Sequence, residues 1–348
     1  MKKFELTSEF VLNVFGVKLF KIKALISFGS VNAGELGGYV ETEENLDQSG
    51  NAWVYGDAWV YGDARVYGNA WVYGDARVYG DAWVSGDARV YGDARVYGNA
   101  RVYGNALISS DARVYGNARV YGDALISSDA RVYGNAWVSG DARVYGDALI
   151  SSDARVYGNA WVSGDAWVYG DARVYGDAWV SGDARVYGNA LISSDARVYG
   201  NAWVYGDARV YGDAWVSGDA RVYGNALISG DARVSGNARV SGNAWVYGDA
   251  RVYGDARVSG NARVKKSAHL FQLGALGSRN GFTTFFRVKT NKIHVVCGCF
   301  LGSIEDFEKA VAVTHAGTKH EKTYLLAIEL AKLQIELDEI EGEGPKEE

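Results

Sequence analysis

From Asn51 to Val264 the chain repeats one six-residue pattern without a slip in register. The consensus is Asn/Asp, Ala, Arg/Trp/Leu, Val/Ile, Tyr/Ser, Gly/Ser, and thirty-five complete hexads run from Asn51 to Gly260. A helix needs apolar residues spaced near 3.6, and this spacing is not present. Instead Ala and Val alternate with Arg/Trp/Leu and Tyr/Ser, which predicts a four-residue strand with Ala and Val on one face. Gly followed by Asn/Asp then makes a two-residue corner, because these residues tolerate a positive φ. Strand and corner recur at constant length, so the chain must wind, each hexad forming one side of a coil. The only proline, Pro345, lies outside the repeat, so every hexad residue keeps its backbone donor.

A small residue two places before an aliphatic one, as in Ala76 before Val78, with Asn/Asp at the corner, resembles the hexapeptide-repeat family. That resemblance implies a mainly β chain built on a left-handed parallel β-helix. This is a triangular solenoid of 18 residues per coil, with about 12 coils spanning roughly 57 Å at the ~4.8 Å stacking distance. General crossover rules favour the opposite hand, so the handedness rests on the resemblance. The glycine-rich entry Gly34, Gly37, Gly38 and the run Asn45–Gly50 resemble the junction of YdcK-like bacterial proteins. Gly277-Ser278-Arg279, Cys297-Gly298-Cys299-Phe300 and Glu305-Asp306-Phe307 resemble a module attached to such repeats in phage and Firmicutes genomes. The expected organisation is an N-terminal β cap over 1–50, the β-helix over 51–264, an α+β module over 265–340 and an acidic tail over 341–348.

With three hexads per coil, residues 18 apart stack in columns. One corner column reads Asp57, Asp75, Asp93, Asp111, Asp129, Asp147, Asp165 and Asp183. Like charges that close repel unless something neutralises them. Beside it stand Arg77, Arg95, Arg113 and Arg131, and then Tyr79, Tyr97, Tyr115 and Tyr133. The plainer reading is an Arg–Asp charge ladder with stacked rings, since the repeat holds 20 Arg against 23 Asp. The functional alternative makes these eight Arg and Tyr residues a binding face for an anionic or carbohydrate partner. A cation on the Asp column is the minor reading.

The repeat contains no His, Cys or Thr. Hexapeptide acyltransferases use a His general base and inserted loops, neither of which occurs between Asn51 and Val264. The expectation is therefore a non-catalytic structural or interaction protein, with no catalytic residue and no cofactor. An acyltransferase relative with its site elsewhere is the alternative. Missing Thr ladders speak against ice binding. The net charge of −6 does not suggest a nucleic-acid binder. Two cysteines make no disulfide framework, the N-terminus lacks the apolar run of a signal peptide, and no stretch approaches ~20 apolar residues. A cytoplasmic protein without membrane contact is expected.

Outside the repeat, Val17–Lys23 reads as a strand. Gly34, Gly37 and Gly38 read as turn glycines, because no GxxxxGK context makes them a phosphate loop. Phe282–Phe286 and Ile293–Val296 read as strands joined at Thr290-Asn291. Ser303, with Glu305 and Asp306, starts a helix running to about Val313, and a second helix spans Glu321 to Ile340. Cys297 and Cys299 are expected on one side of a strand. With His315 they are candidate metal ligands, but no second close pair exists and packing thiols are the default. His269 and His320 read as surface residues. Leu326, Leu330, Leu333, Leu337 and Ile340 follow a 4-3-4-3 seam. Packing onto the hairpin is the first reading of it, and contact with a protein partner or a second copy is the other.

Overall fold

A computed structural model describes residues 1–337, so Ile340 and the acidic tail 341–348 lie outside the described residues. The chain divides into two compact units, Met1–Asp183 and Ala184–Glu348.

In the first unit the hexads form a β-solenoid of 18-residue coils. The rung Arg95–Val96 pairs in parallel with Arg77–Val78 on one side and Arg113–Val114 on the other. The same 18-residue step links Trp83, Arg101 and Arg119 on a second face, and Trp71, Arg89 and Leu107 on a third. Each rung donates upward: the Arg77 N–H bonds the Ala94 carbonyl at 2.9 Å and the Tyr79 N–H the Val96 carbonyl at 3.0 Å. Regular strand covers two residues per hexad rather than the expected four. The Ala before it and the Tyr/Ser after it lie outside the regular strand but keep their ladder hydrogen bonds, and the turn itself is Gly with Asn/Asp. Ala76 and Val78 are fully buried, like the Ala and Val/Ile of every hexad, so the core is a thin, uniform stack of small side chains.

Three strands form the cap: β1 (Phe4–Leu12), β2 (Lys18–Ala24) and β3 (Leu36–Val40). β1 and β2 pair antiparallel, β2 and β3 likewise, and β3 then runs parallel to Trp59–Val60 as the first rung of its face. Gly37 and Gly38 make this docking possible. A Cβ on Gly37 would lie 2.5 Å from the Val54 carbonyl oxygen, and one on Gly38 2.6 Å from that of Ala58. They are packing glycines inside a strand, not turn glycines. Lys3 closes the same end. Its buried ammonium donates to the carbonyls of Ala52 at 2.9 Å and Ser49 at 3.3 Å, and burial lowers its pKa to about 8.

The second unit continues the pattern on its own terms. Trp203 pairs with Arg185 and Arg221, and the last rungs are Arg251–Val252, Arg257–Val258 and Arg263–Val264. Four antiparallel strands follow in sequential order: β4 (Leu270–Leu276), β5 (Gly281–Arg287), β6 (Ile293–Cys297) and β7 (Phe300–Ser303). The expected hairpin is β5–β6, with Phe286 opposite His294 and Asn291 at φ 57° in the turn. The Ser303 hydroxyl accepts from the Asp306 N–H and starts α1 (Ile304–Thr314), as the sequence indicates.

Helix α2 differs from expectation in both length and facing. It runs Lys319–Gln334 and stops because Ile335 turns extended and buries itself, after which the Glu336 N–H bonds the Ala268 carbonyl. The residues it buries are Tyr324, Ala327, Ile328 and Ala331. The seam leucines face outward, with Leu326 65% and Leu333 80% exposed. The packing of Leu326, Leu330, Leu333 and Leu337 onto the hairpin is therefore corrected: small Ala side chains let α2 approach the sheet closely, and that face wins. His269 is a second correction. It is fully buried beside the last coil, its Nδ1 accepting from the Lys265 N–H.

Corner geometry generates a paired prediction. Gly122 sits at φ 70°, and its Cβ would meet the Gly140 nitrogen at 2.9 Å, whereas Ser128 already occupies a corner at φ 59°. Gly122→Ala should lower stability by about 1–2 kcal/mol or more, and Ser128→Gly should be neutral or slightly stabilising, because left-handed backbone is unfavourable for any residue with a Cβ. Urea denaturation followed by circular dichroism checks both.

Candidate functional site

The ladder forces identical positions of successive coils to stack, so the outer surface is a set of columns whose chemistry must tolerate its own neighbours. At the corners the solution is an amide relay. Asn99 Nδ2 donates to Asn117 Oδ1, Asn117 to Asn135, and Asn135 to Asp153, each at 3.1 Å. Asn51, Asn69 and Asp87 form a second relay. The all-Asp column lacks such amides. Its member Asp165 has a raised pKa because the coil surface desolvates it, and Asp147 and Asp183 on either side oppose its ionisation and share hydrogen bonds with it.

The eight residues singled out in the sequence lie in the first unit on one face. Arg77, Arg95, Arg113 and Arg131 are in register on consecutive rungs. Tyr79, Tyr97, Tyr115 and Tyr133 stack face to face with centroids 4.8–4.9 Å apart and planes within 6°. Burial raises the Tyr79 pKa, the phenols of Tyr61 and Tyr97 add to this, and Arg95 and Arg77 act against it. Arg77, the first of the four guanidiniums, lies over the ring of its rung neighbour Trp59, and the same contact recurs on the second face. Arg77 lies 4.5 Å from the Trp59 ring centroid, and Arg119 and Arg155 flank Trp137 at 5.1 Å each.

A continuous Tyr stack leaves no concavity, and openings lie on the second face instead. There the Tyr column is broken: Tyr67, Ser85, Tyr103. A cavity of about 250 Å³ opens at the break, lined by Tyr67, Trp83, Ser85, Arg101, Tyr103 and Arg119. It adjoins a groove along Asp81, Asn99, Asn117 and Asn135, and a second one toward Glu44, Asp47 and Arg65. Arg101 and Arg119 are direct rung partners, and their hexads begin with Asn99 and Asn117 rather than Asp. Sequence reasoning followed the most regular column and so passed over this site. The available signal was a Ser replacing Tyr beside a Trp, a pattern that recurs at Ser139, combined with Asn99 and Asn117 at the next two corners.

In the second unit Cys297 accepts a hydrogen bond from Thr283 Oγ1 at 3.2 Å and donates to the Tyr324 hydroxyl at 3.6 Å. Burial, with Cys297 alongside, pushes Tyr324 up to about 12. Cys299 is exposed in the turn after β6 and does not share a strand face with Cys297. His315 caps the end of α1 and faces the rings of Tyr324 and His320. Cys297 and His315 thus each contact Tyr324, Cys299 stands apart in the turn, and no group of three His, Cys, Asp or Glu is gathered for a metal among the described residues.

Fourteen segments between residues 58 and 266 match the model of the YdcK β-solenoid repeat, and together they cover more than half of the chain. The chain belongs to the YdcK β-solenoid repeat family. No curated protein matches it. Every residue of the 250 Å³ cavity lies in segments matched to the YdcK repeat, whereas Cys297, Cys299 and His315 lie beyond its last matched residue, 266.

The YdcK-type corner yields a pH prediction. Because the pKa of Asp165 is raised on folding, the folded state binds its proton more tightly than the unfolded state. The contribution of Asp165 to stability should rise as pH falls through the region just above the ordinary carboxylate value of ~3.9, and be lower at neutral pH. Asp165→Asn should raise Tm at neutral pH and flatten this dependence. Melting curves across pH ~4–7 test it, and a lowered Tm for the variant would count against column repulsion.

Proposed function

We propose that this protein is a non-catalytic structural and interaction protein, a solenoid that works through its surface and carries the C-terminal α+β module. The observation behind this reading is the uninterrupted register. Rung after rung the outward positions repeat at 18 residues, so the coils display a periodic array rather than one catalytic constellation. The four histidines all belong to the module, and His269 is buried with its Nδ1 accepting a backbone N–H. No cofactor is assigned. An interaction role is also supported by the outward leucines of α2, which offer a surface for a protein partner or a second copy. No described helix is long and apolar enough to cross a membrane. The purified full chain, incubated with acetyl-CoA and amine or sugar acceptors, should release no free CoA above background, and turnover would overturn the reading in favour of an acyltransferase relative.

A second reading is favoured by the guanidinium column itself. Arg77, Arg95, Arg113 and Arg131 stand in register beside a flat wall of stacked phenols, suited to an anionic or carbohydrate polymer. Replacing the four arginines together with Ala should weaken retention on a sulfated polysaccharide column by ~10-fold or more and flatten its salt dependence, with Tm little changed. Equal retention would remove this face from consideration.

A further inference from the structure

The Tyr columns show what a filled position looks like. Tyr187 stacks on Tyr205 at 4.9 Å while Trp203, in the hexad of Tyr205, meets Tyr187 edge-on at 6.4 Å. Tyr67 and Trp83 make the same edge-on contact at 6.2 Å, but the residue in the stacking position is Ser85. Tyr67 and Tyr103 are two coils apart, so the gap between them is one aromatic ring thick at the ~4.8 Å coil spacing. A ring placed there would have a phenol on each side, with Ser85 as the floor.

The gap has a charged rim. Arg101 and Arg119 line it from adjacent rungs, and Arg101 lies 5.0 Å over Trp83. Their own hexads open with Asn99 and Asn117, whose side chains are committed to the amide relay, so the nearest corner carboxylate is that of Asp81, one coil before Asn99 in the adjoining groove. Two guanidiniums held in register beside neutral corners attract an anion, and paired arginines match the oxygens of a phosphate. The cavity of about 250 Å³ lies below the ~300 Å³ at which drug-sized pockets begin, which suits a single ring system with one charged group.

We infer that the break at Ser85 is a binding site for a small planar aromatic ligand bearing a phosphate, its ring stacked between Tyr67 and Tyr103 and its phosphate held by Arg101 and Arg119. This extends the second reading above to one defined pocket but does not use the Arg77–Arg131 column. A matched control exists on the other face: Ser151 interrupts Tyr133 and Tyr169, and its hexad carries Leu149 where the Ser85 hexad carries Trp83.

Adenosine monophosphate is the probe, with adenosine and inorganic phosphate as partial ligands, followed by quenching of intrinsic fluorescence and by calorimetry on the full chain. Saturable binding of adenosine monophosphate is expected, with each partial ligand at least ~10-fold weaker. Ser85→Tyr fills the gap with the residue the column uses elsewhere and should weaken binding at least ~10-fold, while Ser151→Tyr should leave it unchanged. Arg101→Gln with Arg119→Gln should remove the advantage of adenosine monophosphate over adenosine. Melting curves confirm that each variant folds. Unchanged affinity in Ser85→Tyr, equal loss in Ser151→Tyr, or no saturable binding at all overturns the proposal. Retention of the Arg77, Arg95, Arg113 and Arg131 variant on the polysaccharide column shows separately whether that face stands.

Discussion

The parallel backbone ladder is what everything else must accommodate. Each coil offers its neighbour the same N–H and C=O groups at one spacing, as in Arg77 to Ala94 and Tyr79 to Val96. Only small or β-branched side chains fit inside, which explains Ala76 and Val78 and their counterparts in every hexad. Outside, the same rule puts like on like. Asn tolerates this by donating to the next Asn or Asp and Tyr by stacking, while Arg lies over Trp where a Trp interrupts its column. Asp tolerates it least, and the raised pKa of Asp165 records the conflict.

A ladder that can always add another coil must also be stopped. At the N-terminal end the side chain of Asn45 replaces missing backbone donors, bonding the carbonyls of Gly62 and Ala64, while Lys3 does the same for Ser49 and Ala52. At the other end Thr284 Oγ1 accepts from the Arg257 N–H and the Lys289 N–H bonds the Asn261 carbonyl, so β5 and its hairpin turn meet the last coils. Each cap is made of the non-repetitive sequence beside it. Termination needs donors and acceptors at irregular positions, which a strict hexad does not supply.

This division explains what was legible in the residues. The winding follows from the period, its three faces and 18-residue step from the resemblance to hexapeptide repeats, and the β5–β6 hairpin and the Ser303 cap from local signals. The facing of α2 was not legible. The spacing of Leu326, Leu330 and Leu333 says that they share a face, but not that Ala327 and Ala331 on the other side let the helix come nearer the sheet. The burial of His269 is hidden for a related reason: its partner, the Lys265 N–H, is a backbone group that side-chain patterns do not announce.

The candidate sites were legible in proportion to their regularity. Arg77, Arg95, Arg113 and Arg131 stand out in the sequence because nothing interrupts them, and in three dimensions that same regularity makes a closed, flat surface. A concavity on a solenoid needs a missing side chain, so it must arise where a hexad departs from its column. Ser85 is such a departure, and Asn99 and Asn117 are departures of charge beside it. Ser109 and Ser127 leave a wider break on a third face, but their hexads carry Leu107 and Leu125 in place of Trp and no guanidinium of their own. A long array of near-identical coils can therefore hold a specific pocket without an inserted loop: the consensus supplies the stacking distance, and the exceptions supply the space and the charge.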